Sequence, residues 1–413
     1  MENISEIVSH FNFTQTRKSR QYLNLFFSQK SFNKNQTLYT QQKLKMFLEN
    51  LHIIKDYRIS ENAVSVTHKL LGEADSYNYT FIRNLTYRNF FKEINNNLSI
   101  FIEFFHGFHA VLENFKQSEF CKDYCAEINE TLKFIESLTV IDYHQKELNF
   151  KLRKTLLLII KSEIGKKSFE SFWDFFYMFD VHSSIAKGIA LNDLVFPEFS
   201  DNQKFIIREF YHLDLTTSVK NTLTEREKNI MVFTGANMSG KSTAMKSVSI
   251  IVLLAHLGIA VPAESCKIPF YDRIFLHFSV TDNLKEGHSH FMQEIINIKN
   301  VLVELKTKNC FAVFDEIFSG TNINDSAKIT GDTILGISRY TNSMFIFSTH
   351  LNMIENLLKD EKNITLLNLE CLFENNDLLF TYRLQKGWSK LEVGKIIFDQ
   401  YGLNDLLKDD HQC

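Results

Sequence analysis

Ile230-Met231-Val232-Phe233-Thr234-Gly235-Ala236-Asn237-Met238-Ser239-Gly240-Lys241-Ser242-Thr243-Ala244 is the stretch that decides how this 413-residue chain is read. Its first four residues form an unbroken apolar run, the pattern of a short strand buried on both faces. From Gly235 to Ser242 the chain spells G-x-x-x-x-G-K-[ST], and apolar residues recur at helical spacing from Thr243 to Leu257. Strand, glycine loop and helix in that order make a phosphate cradle. Gly235 and Gly240 open dihedrals that let consecutive N–H groups face one anion, and the helix starting near Lys241 turns its positive end to the same place. Lys241 is placed to reach the β- and γ-phosphates of a nucleoside triphosphate, and the Ser242 hydroxyl to enter the shell of a Mg2+ ion. Gly235, Ala236, Asn237, Met238, Ser239, Gly240, Lys241, Ser242 and Thr243 are therefore the expected nucleotide-binding residues.

Two later strand ends supply the remaining chemistry. Cys310-Phe311-Ala312-Val313-Phe314 is an apolar run ending in Asp315-Glu316. At the carboxyl end of a buried strand, Asp315 is expected to hold Mg2+ through water, and Glu316 to orient or deprotonate an attacking water. Met344-Phe345-Ile346-Phe347-Ser348 reads as another buried strand, followed by Thr349-His350, where His350 can sense a γ-phosphate through hydrogen bonds. Between the loop and these strands, Phe275 to Val280 reads as a strand. The polar stretch that follows opens a helix from Met292 to Leu305, a second helix start able to face phosphate.

Upstream the texture changes. Residues 1–196 contain no proline and only Gly72, Gly107, Gly165 and Gly188, so helix breakers are rare and long helices are expected. Cys121, Cys125, Ile128, Leu132, Ile135 and Leu138 fall three or four apart on one helix face. That stripe reads the cysteine pair as core rather than metal ligands, and His106 and His109 as residues lining a core or surface face. The many phenylalanines read as a helical core, and the Lys/Arg group from Lys151 to Lys167 as a solvated face. Pro197 marks the end of this half. The expected architecture is an all-α helical domain over 1–196 and an α/β P-loop NTPase domain over 197–413.

Bulk properties limit the alternatives. Hydrophobic residues make up 44% and charged residues 23%, as in ordinary soluble proteins. A net charge of −3 carries no electrostatic footprint of nucleic acid, although a local cluster of Lys and Arg suffices for binding. Six scattered cysteines make no disulfide framework and favour a reducing compartment. With no secretory signal pattern and no window of 18 apolar residues, the expectation is a cytoplasmic protein without a membrane span.

Taken together, these segments resemble the MutS family of ATPases. Gly235 to Thr243 is similar to that family's G-P-N-M-x-G-K-S-T, Gly258 to Ala263 to G-x-x-V-P-A, and Asp272-Arg273-Ile274-Phe275 to D-R-I-F. Asp282 through Glu294 resembles D-D-L-x-x-G-x-S-T-F-M-x-E, and Asp315 to Thr321 resembles D-E-[IL]-G-R-G-T. Ser348-Thr349-His350 is similar to A-T-H, and Tyr382 to Gly387 to Y-x-L-x-x-G. The resemblance runs from about residue 172 to 403 and implies an ABC/MutS-type ATPase that binds ATP and Mg2+. It also implies a homodimer in which Ser289 touches the γ-phosphate on the other protomer, and control of binding to mismatched or branched DNA in repair or recombination. A nucleotide-driven clamp acting on RNA, a ribosome or a protein partner is the alternative reading.

The chain departs from the family pattern at several points. Phe318-Ser319 stands where the family has Gly-Arg, Asn283 replaces the second Asp, and His290 replaces a Thr. The aromatic that supports adenine just before the loop has no clear counterpart, Ser218 and Val219 occupying that neighbourhood. No room is expected in this stretch for the N-terminal mismatch-reading domain. Phe91-Lys92-Glu93 and Phe101-Ile102-Glu103 spell its wedge tripeptide in helix-like surroundings, where both read as coincidence. The tail after Leu403 is expected to be too short for an added nuclease domain.

Overall fold

A chain half without proline has few places to end a helix, and this one folds accordingly. In the computed structural model the helices are α1 (Ile4–Ser9), α2 (Arg17–Phe27), α3 (Lys34–Glu49), α4 (Leu51–Asp56), α5 (Glu61–Glu73), α6 (Arg88–Phe115), α7 (Lys122–Ser137), α8 (Val140–Tyr143), α9 (Phe150–Gly165) and α10 (Ser168–Leu191). The structure describes residues 4–74, 88–115, 122–144, 147–236, 238–278, 290–318, 320–374, 377–389, 391 and 393–407. Ile4–Ser28 with Leu38–Leu191 forms one unit; Gln29–Thr37 with the described residues from Asn192 onward forms the other.

The helical unit is built on aromatic packing. Phe172, Phe176 and Phe179 recur at helical spacing on α10 and meet α6: Phe105 lies 4.7 Å from Phe172, and Phe108 5.1 Å from Phe176, ring centre to ring centre. Phe101 and Ile102 are buried on α6 while Glu103 is exposed, so the Phe of this Phe-Ile-Glu tripeptide is a core residue. On α7 the buried face is Tyr124, Ile128, Thr131, Leu132 and Ile135. Cys125 is only half-buried, so Tyr124 takes the core position the stripe had assigned to it; Cys121 lies outside the described residues. The segment after α1 is tied down by α10. The Ser184 hydroxyl donates to Phe11 O and accepts from Phe13 N, each at 2.6 Å, while Asp180 accepts from Gln15 N at 2.9 Å.

The second unit holds two sheets. Its strands are β1 (Glu198–Phe199), β2 (Phe205–Phe210), β3 (Asn221–Glu225), β4 (Ile230–Thr234), β5 (Ser265–Ile268), β6 (Arg273–His277), β7 (Cys310–Phe314), β8 (Met344–Ser348), β9 (Ile364–Glu374) and β10 (Asp377–Lys386). Its helices are α11 (Lys241–His256), α12 (His290–Glu304), α13 (Ile323–Ile337), α14 (Glu355–Leu358), α15 (Val393–Gln400) and α16 (Leu403–Leu406). The larger sheet runs β10-β9-β4-β8-β7-β6, parallel except for the antiparallel β9–β10 hairpin. Every residue of β4, β7 and β8 is buried, which is why these strands read as unbroken apolar runs.

Two features depart from the expected βα alternation. Residues 198–225 with 265–268 form a separate four-stranded sheet, β1-β5-β2-β3, and residues 364–386 form the hairpin that extends the larger one. Phe275–Val280 was expected as a strand, but β6 starts earlier at Arg273 and ends at His277, and 279–280 fall outside the described residues. No helix among the described residues is long and apolar enough to cross a membrane.

Candidate active site

Parallel strands β4, β8 and β7 lie side by side, so the segments leaving their carboxyl ends emerge together. Thr349 N donates to Phe233 O at 3.1 Å, and Asp315 N to His277 O at 2.9 Å, fixing where those segments start. After β4 the loop turns through left-handed conformations at Met238 (φ 72°) and Gly240 (φ 94°), with Gly235 at φ 135°. Gly240 is then the residue preceding α11, whose first turn carries Lys241, Ser242 and Thr243.

Lys241 is the centre of the site. Its side chain is 4% exposed, and its ammonium donates to Gly235 O at 2.6 Å and Ala236 O at 3.1 Å. His350 Nδ1 lies 3.4 Å away, and His350 Nε2 is 2.6 Å from Glu316 Oε1. An ammonium can only donate, so Nδ1 accepts and the ring proton sits on Nε2, bonded to the carboxylate. A chain of hydrogen bonds therefore joins Lys241 to Glu316 through one imidazole. Burial lowers the Lys241 pKa, against the opposing fields of Glu316 and Asp315. The bond from His350 holds the Glu316 carboxyl below its ordinary range; burial opposes this, and the charge of Lys241 adds to it.

The acidic pair is held in a strained turn. Glu316 (φ 53°) and Phe318 (φ 62°) both adopt left-handed backbone, a conformation that neighbouring contacts must enforce. Ser348 supplies two of those contacts: its hydroxyl donates to Asp315 Oδ1 at 2.5 Å and accepts from Glu316 N at 2.9 Å. This serine, where the resembled motif has Ala, is a bridge that the sequence pattern did not reveal. Phe318 is 2% exposed and meets Phe291 edge-on at 5.9 Å, so the departure from Gly-Arg places a core residue in the turn.

A cavity of about 250 Å3 opens beside the first turn of α11, walled by Tyr211, Val219, Gly240, Thr243, Leu369 and Tyr382. Ser218 and Val219 do line it, but its aromatic residues are Phe210, Tyr211 and Tyr382. A β-carbon on Gly240 would lie 3.0 Å from the Tyr382 ring. Tyr382 sits in a bulge of β10 with φ 57°, and the bulge re-aims it out of the strand's alternation. Asn221 clamps that bulge, donating to Tyr382 O at 2.9 Å and accepting from Leu384 N at 2.8 Å. On the other side of the loop a cavity of about 310 Å3 is walled by Gly235, Ala236, Met238, Thr349 and His350.

The structure thus brings Gly235, Ala236, Met238, Gly240, Lys241, Glu316 and His350 around one loop, with Asp315 bonded behind them to Ser348. Asn237 and Ser289 lie outside the described residues. The residues present fit a nucleoside triphosphate with Mg2+. A buried cation, glycine backbone that side chains would block, and the buried Ser239 hydroxyl with no hydrogen-bond partner among the described residues suit phosphate oxygens. The hydroxyl of Ser242 and the carboxylate of Asp315 are the hard oxygen donors Mg2+ takes.

Comparison with known proteins points the same way. Residues 231–404 match the family described as MutS domain V. The DNA mismatch repair protein MutS of Geobacillus sp. (strain WCH70) is 31% identical over 215 residues, which is 50% of this chain and 25% of that protein. MutS of Streptococcus pneumoniae serotype 19F (strain G54) is 28% identical over 251 residues, 59% of this chain and 30% of the relative. The mismatch repair protein HexA of S. pneumoniae serotype 4 (strain ATCC BAA-334 / TIGR4) matches to the same extent. The chain therefore spans between a quarter and a third of the length of these curated relatives. Its C-terminal α/β region is similar to the ATPase domain of the MutS/HexA family.

Two consequences can be measured. Ser348→Ala leaves a buried carboxylate oxygen and a backbone N–H without their partner, and should cost about 1–3 kcal/mol in urea unfolding; unchanged stability would show that the bridge carries no weight. His350→Ala removes the main cause of the lowered Glu316 pKa, so that carboxyl should titrate at higher pH in carboxyl 13C NMR. In the wild type this contact contributes fully above the ordinary carboxyl value of 4.5 and is lost as pH falls through the lower folded value. An unmoved Glu316 titration would contradict the assignment.

Proposed function

We propose that this chain is a MutS-type P-loop ATPase whose nucleotide cycle controls binding to mismatched or branched DNA. The observation that carries the reading is the hydrogen-bonded chain from Lys241 through His350 to Glu316, which puts a buried cation and a carboxylate at one loop. The family match over residues 231–404 supports it independently.

In this reading the backbone N–H groups around Met238 to Ser242 bind the phosphates of ATP. Lys241 exchanges the carbonyl oxygens of Gly235 and Ala236 for phosphate oxygens. Ser242 and Asp315 would hold Mg2+, which when bound would supply positive charge against that developing on the transferred phosphoryl group. Glu316 accepts a proton from the attacking water, and its lowered pKa keeps it ionised for that task. His350 orients Glu316 and shares the hydrogen-bond network of Lys241. Tyr382 and Tyr211 offer ring faces to the base in the cavity beside Thr243.

The proposal extends to a homodimer in which Ser289 meets the γ-phosphate bound by the other protomer. A helical domain over 1–196 would grip DNA in response to an ATPase domain over 197–413. The test is ATP turnover with and without mismatched, branched and fully paired DNA, joined to filter binding at two salt concentrations. Turnover that responds to one DNA form, and retention that weakens as salt rises, are expected. No retention of any DNA form would favour a clamp acting on RNA or protein.

Variants test the chemistry separately. Lys241→Ala should weaken ATP binding by about 10–100-fold, the loss of a charge-assisted contact. Glu316→Gln should keep ATP bound while turnover drops by about 10²–10⁴-fold. Wild-type turnover in the glutamine variant would place the catalytic carboxylate elsewhere.

A further inference from the structure

A second group of ligand-capable side chains lies in the helical unit. His109 and Glu113 stand four residues apart on α6 and so share a face, and Glu136 comes from the last turn of α7. One donor atom from each lies within 4.8 Å of the other two. His109 Nε2 is shielded from water, has no hydrogen-bond partner among the described residues, and stands 3.5 Å from Glu136 Oε1. Zn–N and Zn–O bonds of about 2.0–2.1 Å put neighbouring donors of a tetrahedral site about 3.4 Å apart. The observed spacing therefore matches two corners of such a site.

We propose that His109, Glu113 and Glu136 bind a divalent first-row transition ion of the Zn2+ class and clip α6 to α7. One imidazole and two carboxylates form a donor set such ions accept, and three protein ligands leave a fourth position for water. His106 lies three residues before His109 on α6 and stacks on His144, with ring centres 3.6 Å apart and planes 3° apart. Burial, then the neighbouring His144 and His109, lower the His106 pKa. The cysteines that first raised the question of a metal are not involved: Cys125 is not among the converging atoms, and Cys121 lies outside the described residues.

The test uses the full chain, stripped with a chelator, free of nucleotide, and titrated with Zn2+ and with Co2+. One equivalent of Co2+ should give visible d–d absorption without the thiolate charge-transfer band of cysteine ligation. Zn2+ should slow hydrogen exchange in peptides from α6 and α7. His109→Ala and Glu136→Gln should each weaken Zn2+ binding tenfold or more and abolish that protection. Glu136 is largely exposed, so its glutamine variant reads the site without disturbing the core. No Zn2+ uptake by the wild type, a thiolate band, or wild-type affinity in the folded Glu136→Gln variant would each overturn the proposal.

Discussion

A buried ammonium has to be satisfied, and the loop from Gly235 to Lys241 is shaped by that requirement. With the Lys241 side chain 4% exposed, its charge is left to two carbonyls of its own loop and one imidazole. Those partners dictate the neighbouring geometry. The loop must curl back on itself, which needs positive φ at Met238 and Gly240, and β8 must end where His350 can reach both Lys241 and Glu316. Ser348, two residues earlier at the end of β8, then ties the acidic pair to the same strand end. Three strands that are distant in sequence become one site because a single charge has to be paired.

This arrangement also explains the strain after β7. Left-handed backbone at Glu316 and Phe318 is costly unless the surroundings enforce it. Ser348 holds the Glu316 amide, and the burial of Ile317 and Phe318 anchors the far side of the turn. The carboxylate is thereby aimed by backbone and not by a flexible side chain alone, which suits the role proposed for Glu316.

What could be read from the sequence was what depends on local pattern. β4, β7 and β8 are fully buried, so each shows as an apolar run, and the glycine loop follows one of them directly. The helical half was legible because it lacks breakers. The features that escaped depend on distant partners. β3 is mostly polar, and its buried Glu225 accepts a hydrogen bond from Thr365 of β9 at 2.8 Å, so nothing local marks it as a strand. Tyr382 stood in a recognised motif, but its place beside Gly240 comes from a bulge clamped by Asn221. His109 on α6 and Glu136 on α7 come within reach of each other only once the helices have packed.

The account stands on the claim that Lys241, in its loop, is a phosphate receptor facing the acid groups that end β7. The most direct measurement is a crystal structure of the chain with Mg2+ and a non-hydrolysable ATP analogue. The account predicts that the Lys241 ammonium leaves the carbonyls of Gly235 and Ala236 for phosphate oxygens, with the metal between Ser242 and Asp315. Nucleotide bound elsewhere, with Lys241 still on those carbonyls, would contradict it.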